Sequence, residues 1–331
     1  MSESMRAVVQ RGFGGTDQLE VTRRAVPTAG AGEVLVRVRA AAIDRGTLLM
    51  LEGRPLLARP AFGVRRPRHP VPGLDVSGIV VALGAGVSGV AIGDRVVGIS
   101  RGALAEYAVV PVSKLAAAPR ELDLVTAAAL PVSGITAVQA MELAGIGPGD
   151  RVLVTGASGG VGHYVVQLAA SAGAAVTAVC SAAKADMVRS LGAAAVVPYD
   201  ERDALRSGTT WDVVVDVMGN APLRRLCRAT VPGGRIVLVG GDTGGRLTAG
   251  YGRQLRALVA GPLLGRRVRV LASRERAHTI AALVAAVDDG RVRPSVDRVF
   301  ALDEIAAALD HLAAGRASGK VVVAVTPPTT R

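Results

Sequence analysis

The stretch Arg151-Val-Leu-Val-Thr-Gly-Ala-Ser-Gly-Gly-Val-Gly-His163 decides the fold. Residues 152–155 form an apolar run of strand length. They enter a turn in which Gly159, Gly160 and Gly162 remove side chains, and 164–172 then show helical apolar spacing that stops at Gly173. Strand, glycine turn and helix in that order let backbone approach a pyrophosphate, while the helix start offers free N–H groups and a positive dipole end. Ala157 stands in the slot of the first glycine of the dinucleotide fingerprint, with Gly159 and Gly162 in the second and third. A tight turn built of small residues for packing alone is the competing reading. No Gly-Lys-Ser/Thr follows, so the turn is not a P-loop. The phosphate-binding candidates are Ala157, Ser158, Gly159, Gly160, Val161 and Gly162.

Outward from this turn, short apolar strands at 152–155, 176–179, 195–197, 213–217, 236–239 and 268–271 alternate with helical segments such as 183–191 and 221–230. Six strands with intervening helices predict a doubly wound parallel sheet. The first third differs. Runs at 7–9, 33–40, 77–83 and 94–97, punctuated by Gly, Pro and Asp, predict a compact, partly barrel-like antiparallel domain, with Val34, Val36 and Val38 on one face. Two helical segments, 276–288 and 303–314, and a last strand, 320–325, follow the parallel strands. The reading is an α/β protein in which 1–125 and 272–331 belong to one domain and 126–271 to the nucleotide domain.

A chain of 331 residues that is 50% hydrophobic has material for about two cores. The formal charge of +12 comes from arginines scattered singly or in pairs, and only 2% of residues are aromatic, which argues against a nucleic-acid partner. The densest cluster, Arg65-Arg66-Pro67-Arg68-His69, reads as a solvated loop or as a rim attracting an anionic substrate. Met1-Ser-Glu-Ser-Met-Arg6 lacks the apolar core of a signal peptide, and the longer apolar runs are broken before spanning length. A cytoplasmic protein with no membrane partner is expected. Cys180 and Cys227 offer neither a disulfide framework nor a thiolate metal site and read as core filler. His69, His163, His278 and His311 are dispersed, so no metal site is expected.

About twenty residues past the glycines, a carboxylate would accept from the adenine-ribose hydroxyls. The chain instead reads Ala178-Val-Cys-Ser-Ala-Ala-Lys184, a hydroxyl and a cation suited to a 2′-phosphate. Lysine occurs only at 114, 184 and 320, which singles out Lys184, although a solvated lysine at a helix start is the alternative. Ser181 and Lys184 point to NADPH rather than NADH.

Several motifs in order resemble a known group across nearly the whole chain. They are Pro72-Gly-Leu-Asp-Val-Ser-Gly-Ile-Val80, Gly93-Asp-Arg-Val-Val-Gly98, Ala105-Glu-Tyr-Ala108, Leu130-Pro-Val-Ser-Gly-Ile-Thr-Ala137, the 156–162 turn, Val188-Arg-Ser-Leu-Gly-Ala193 and Gly319-Lys-Val-Val-Val323. The chain resembles the medium-chain dehydrogenase/reductase superfamily, and within it the zinc-free quinone-oxidoreductase branch that includes zeta-crystallin and the reticulon-interacting reductases. The resemblance implies a GroES-like catalytic domain, a Rossmann domain and a homodimer built through the Rossmann sheets. It also implies that Tyr199 contacts the adenylate and that the Lys320 segment lies near the cofactor, while Gly240, Gly241, Ala272 and Ser273 are expected to flank the nicotinamide because they follow strands at the mouth of the sheet, and Thr136 is a further cofactor candidate. Plainer readings stand beside these: Tyr199 as a strand-end cap, Lys320 as an edge charge, and the glycines as ordinary turns.

Where zinc relatives carry metal ligands, this chain has Asp44, Leu74 and Val132, and Asp75 alone cannot build a site that needs three protein ligands. Hydride delivery to a quinone or an α,β-unsaturated carbonyl needs less help than reduction of a simple ketone, because the incoming charge spreads onto an oxygen. Quinone oxidoreductases often carry Asn with Tyr five residues later in the loop matching Ile43-Asp44-Arg45-Gly46-Thr47-Leu48-Leu49; here Asp44 and Leu49 stand there. Asp44 and Thr47 are the catalytic candidates, with a salt bridge from Asp44 to an arginine such as Arg45 as the structural alternative. The expected activity is an NADPH-dependent quinone or enone reductase. The alternatives are an enoyl or ketone reductase dedicated to one biosynthetic intermediate, and a cofactor-binding protein without turnover.

Overall fold

The computed structural model describes residues 3–241, 245, 247–248, 250–260 and 266–325. The chain divides into two compact units, 1–135 with 275–290 and 294–331, and 136–274 with 291–293. The first unit opens with the antiparallel pair β1 (Ser4–Gln10) and β2 (Leu19–Ala25), followed by β3 (Glu33–Ile43), α1 (Arg45–Leu51) and α2 (Arg59–Phe62). Next come β4 (Asp75–Leu83), β5 (Arg95–Ile99), β6 (Tyr107–Pro111), β7 (Leu115–Ala117), α3 (Leu124–Ala127) and α4 (Pro131–Ala144). Val34, Val36 and Val38 of β3 all point inward, as period-two patterning requires, and then Ala40–Ile43 are buried on both faces because Ala40 and Ala42 pack on Ala128 and Ala129.

The second unit is the parallel sheet. Its strands are β8 (Arg151–Thr155), β9 (Ala175–Cys180), β10 (Ala195–Pro198), β11 (Trp211–Asp216), β12 (Thr230–Leu238) and β13 (Arg267–Val270), with helices α5 (Gly162–Ser171), α6 (Ala185–Ser190), α7 (Leu223–Arg228) and α8 (Tyr251–Ala260). All pairings are parallel and the order is β10-β9-β8-β11-β12-β13. This is the dinucleotide-binding strand order, and it reverses between β8 and β11. One boundary differs from the sequence reading. The helical segment expected over 221–230 is shorter: α7 ends at Arg228, Thr230 already opens β12, and Pro232-Gly233-Gly234 lies inside that strand, where the register shifts between Trp211 and Val213 and Gly233 takes φ +74°.

The chain then returns to the first unit as α9 (Ala277–Asp288), β14 (Val296–Ala301), α10 (Ile305–Ala313) and β15 (Lys320–Ala324). These strands complete a sheet of order β14-β15-β3-β4-β5-β7, with β6 also paired to β3. The unit breaks fall later than the 125/126 and 271/272 boundaries expected from the sequence. Segment 124–133 stays with the first unit because Ser77 Oγ donates to the Leu124 carbonyl and Asp75 accepts from the Val132 N–H at 2.6 Å. Among the described residues, no helix is long and apolar enough to cross a membrane.

Candidate functional site

The 156–162 turn sits at the C-terminal end of β8, beside the strand-order reversal where this sheet type binds dinucleotides. Its glycines have separate jobs. Gly156 takes φ +66°, and a Cβ on Gly162 would stand 2.1 Å from the Gly156 carbonyl oxygen, so the helix start packs onto the turn only without a side chain. A Cβ on Gly159 would meet only the Gly156 oxygen, at 3.3 Å, and otherwise open space. That open face is the cradle a pyrophosphate needs. Ala157 and Ser158 are buried, while Gly159, Gly160 and Val161 are half-exposed. Inside the turn, His163 Nδ1 lies 3.0 Å from the Gly159 carbonyl oxygen and its ring packs on Tyr164.

The strand ends beside the turn share a backbone rim. A Cβ on Gly219 would come within 2.4 Å of the Gly240 oxygen, and one on Gly240 within 2.0 Å of the Val217 oxygen, so the loops after β11 and β12 touch through bare backbone. Sequence reading missed what holds them. Asp216, fully buried at the end of β11, accepts from Thr155 Oγ1 at 2.6 Å and from Arg253 of α8. Arg253 also donates to the carbonyls of Ala221 at 2.7 Å and Gly240 at 3.3 Å, tying both loops to one guanidinium. The available signal was a lone carboxylate ending the apolar run Val213-Val-Val-Asp216.

Ser181 and Lys184 bracket a single 3-10 turn after β9, both half-buried. Tyr199 lies close by, directly after β10, its N–H bonded to the Cys180 carbonyl and its side chain 57% exposed. Asp200 accepts from the Ala182 N–H at 3.2 Å, placing a carboxylate next to Ser181 that the sequence reading had not considered. Thr136 is on α4, and Gln139 of the same helix binds the Arg274 backbone through N–H at 2.9 Å and carbonyl at 2.6 Å. Exposed Ala272 and Ser273 are thereby tethered near the helix that carries Thr136. Gly240 and Gly241 are half-exposed on the rim.

Asp44, Thr47 and Lys320 lie in the first unit. Asp44 caps α1: its Oδ1 accepts from the Thr47 N–H at 3.1 Å, and Thr47 Oγ1 accepts from the Asp44 N–H at 3.3 Å. The cation opposite Asp44 is Lys320, at 3.6 Å. Lys320 is 1% exposed on a strand flanked by β14 and β3, so it is no edge charge. Its ammonium also bonds Asp75 Oδ2 at 2.8 Å and Ser133 Oγ at 3.1 Å. Three partners match the three donors of an ammonium. Lys320 thus acts through Asp44 and Asp75. Burial pushes the Asp75 carboxyl up to about 6, against the pull of Lys320, and Asp44 adds to the rise. Burial opposes the Lys320 charge, yet Asp75 and Asp44 hold it above the ordinary lysine value.

A cavity of about 720 Å³ opens in the first unit. Its walls are mostly apolar, with Phe13, Met50, Phe62, Leu74 and Ile99, and Thr47 and Ser100 bring hydroxyl-bearing residues to it. Among the described residues, no group of three or more His, Cys, Asp or Glu is placed to hold a metal ion.

Residues 30–120 match the family model described as alcohol dehydrogenase GroES-like domain, and 191–323 match the model described as zinc-binding dehydrogenase. The chain is 33% identical over 328 residues to a chloroplast envelope quinone oxidoreductase homolog from Arabidopsis thaliana, covering 94% of this chain and 95% of the relative. It is 30% identical over 340 residues to a chloroplastic NADPH-dependent alkenal/one oxidoreductase of the same plant, covering 98% and 81%. The solved quinone oxidoreductase from Coxiella burnetii superposes with a TM-score of 0.87 at 28% identity, covering 98% of this chain and all 100% of that one.

Proposed function

The chain belongs to the medium-chain dehydrogenase/reductase superfamily, in its zinc-free quinone-oxidoreductase-like branch, and on that premise we propose an NADPH-dependent reductase delivering hydride to a quinone or an α,β-unsaturated carbonyl. The observation that carries this reading is the glycine turn with an open face at the reversal point of a six-stranded parallel sheet. The relatives named for quinones and for NADPH-dependent alkenal/one reduction support the acceptor class and the cofactor.

Bound NADPH supplies the hydride. The chain's residues divide the remaining work. Backbone at 157–162 would take the pyrophosphate and Ser181 with Lys184 would hold the 2′-phosphate, while Tyr199 has an exposed ring to offer the adenine. Arg253, through Asp216, Ala221 and Gly240, keeps the rim loops in register. Reduction of the acceptor carbon would leave an electron pair on the acceptor oxygen. Thr47 Oγ1, on the cavity wall, donates to that oxygen, its proton released from a long 3.3 Å contact with Asp44. Asp44 does not repel the developing charge freely, because Lys320 stands against it. Solvent supplies the final proton to carbon or oxygen.

The test is NADPH oxidation by purified protein against a panel of benzoquinones, naphthoquinones and enones. Steady consumption with at least one acceptor class is expected. NADPH binding with no consumption on any acceptor assigns a binding role instead.

A further inference from the structure

The first-unit cavity has a chemical polarity that the reductase reading does not require. Its body is apolar, but Arg101 and His69 lie on its wall, and Arg101 Nη1 contacts His69 Nε2 at 3.2 Å. That contact uses one of the five guanidinium donors. Segment 53–74, which supplies Phe62, Pro67 and His69 to the wall, contains no Asp or Glu, and its Arg65, Arg66 and Arg68 are exposed. The His69 ring is held below the ordinary histidine value by burial and then by the charges of Arg101 and Arg68, the mark of a local positive field. The carboxylates on the same wall are already engaged: Glu275 pairs with Lys114, itself a wall residue, and Glu33 accepts from the Gly30 N–H at 3.0 Å.

An independent observation comes from Ser100. It lines the cavity, is 2% exposed, and among the described residues its Oγ is buried without a hydrogen-bond partner. A buried hydroxyl left unpaired is costly, and such groups in native structures are paired by protein, water or ligand. Here the neighbour that closes the valence is whatever occupies the cavity.

Resting on the reductase reading, we propose that the acceptor is a ring compound carrying a carboxylate, its ring against Phe13, Phe62 and Leu74 and its carboxylate on the Arg101 fork with Ser100 donating. An Arg fork presents two parallel N–H groups that match the two oxygens of a carboxylate, and one hydroxyl completes the set. The acceptor is therefore an aromatic or quinonoid acid, or an enone acid, rather than a neutral quinone.

The experiment uses the full-length protein saturated with NADP⁺ and measures calorimetric binding of 2-naphthoate and of its methyl ester, neither of which can be reduced. The acid binds about tenfold tighter than the ester, the scale of one charge-assisted hydrogen bond at a partly solvated rim. Arg101→Gln brings the two affinities together, Arg101→Lys restores part of the preference, and Ser100→Ala lowers it several-fold. Equal affinities in the wild type overturn the proposal. So does an acid preference that survives Arg101→Gln, since that belongs to the net charge of the chain. Because no turnover enters the readout, failure of the reductase reading shows separately, as absence of NADPH consumption with both neutral and carboxylated quinones.

Discussion

Lys320 Nζ lies 2.8 Å from Asp75 Oδ2, and both side chains are 1% exposed. Two residues 245 positions apart thus form a buried ion pair that joins β15 to β4 and, through Ser133 and Asp44, to α4 and the cap of α1. A buried pair adds little by itself, but breaking it strands a charge. Lys320→Met is expected to lower stability by about 3–5 kcal/mol in urea denaturation, with Asp75→Asn less severe because its one amide oxygen still accepts from Lys320 or Val132, though not from both, and Asp44 remains beside Lys320.

The same pair sets a pH dependence. The folded-state pKa of Asp75 is raised from 3.8 to about 6, chiefly by burial. A group raised on folding contributes stability that is complete below its unfolded pKa and lost as pH rises through the folded one. Asp75 therefore favours the folded state most below pH about 4, and this contribution disappears between about pH 4 and 6. Lys320, also raised, loses its contribution only above the ordinary lysine range. The check is the difference in urea midpoint between wild type and Asp75→Asn. Relative to the variant, the wild type weakens from pH 4 to pH 6; an unchanged difference across that window contradicts the assignment.

The two glycines of the turn separate packing from binding. Gly162→Ala places a Cβ against the Gly156 carbonyl and is expected to cost roughly 2–4 kcal/mol in stability along with cofactor binding. Gly159→Ala meets almost nothing in the protein, so its stability stays within about 1 kcal/mol while NADPH affinity falls tenfold or more. Thermal denaturation and fluorescence titration read the two effects independently.

Cofactor choice rests on a balance of charges after β9. Lys184→Ala is expected to weaken NADPH binding roughly tenfold and leave NADH nearly unchanged, because only the 2′-phosphate makes a charge-assisted bond there. Asp200, held by the Ala182 N–H, opposes a dianion, so Asp200→Asn raises the NADPH to NADH preference. Equal Kd values for the two cofactors in the wild type contradict this part of the account.

Arg253→Met leaves the buried Asp216 carboxylate with Thr155 Oγ1 and the Gly219 N–H at 3.4 Å but no cation, frees the Ala221 carbonyl and leaves that of Gly240 to Gln254. A loss of about 3–5 kcal/mol is expected. Hydrogen exchange is expected to rise first at 217–221 and 239–241, the two loops that the guanidinium ties together.

The doubly wound sheet was legible because most of its strands are apolar runs bounded by glycine or a helix, with Arg267-Val-Arg-Val270 of β13 the exception, and the glycine turn gave its own position in the order. Strands such as β2 and β14 escaped the reading since no residue of β2 and only Phe300 of β14 is fully buried. The ion pairs escaped for a different reason. Lys320 with Asp75 and Arg253 with Asp216 are bonds between distant segments, and nothing local in the sequence encodes the partner. Each nevertheless left a trace: Lys320 is one of only three lysines, and Asp216 ends a run of valines. Asp44 was singled out in the sequence as a substrate-loop residue; its cap on α1 is a local Asp44–Thr47 pairing that the spacing contains, but its contact with Lys320 exists only because β15 packs beside β3.

Hydride transfer itself is the central claim. Purified protein would be incubated with NADPH deuterated at C4, each face in turn, and an enone acid, and the product analysed by mass spectrometry. The account expects one deuterium on the β-carbon of the saturated product from one labelled face only. Unlabelled product from both labelled faces, or bound NADPH that is never oxidised, contradicts it.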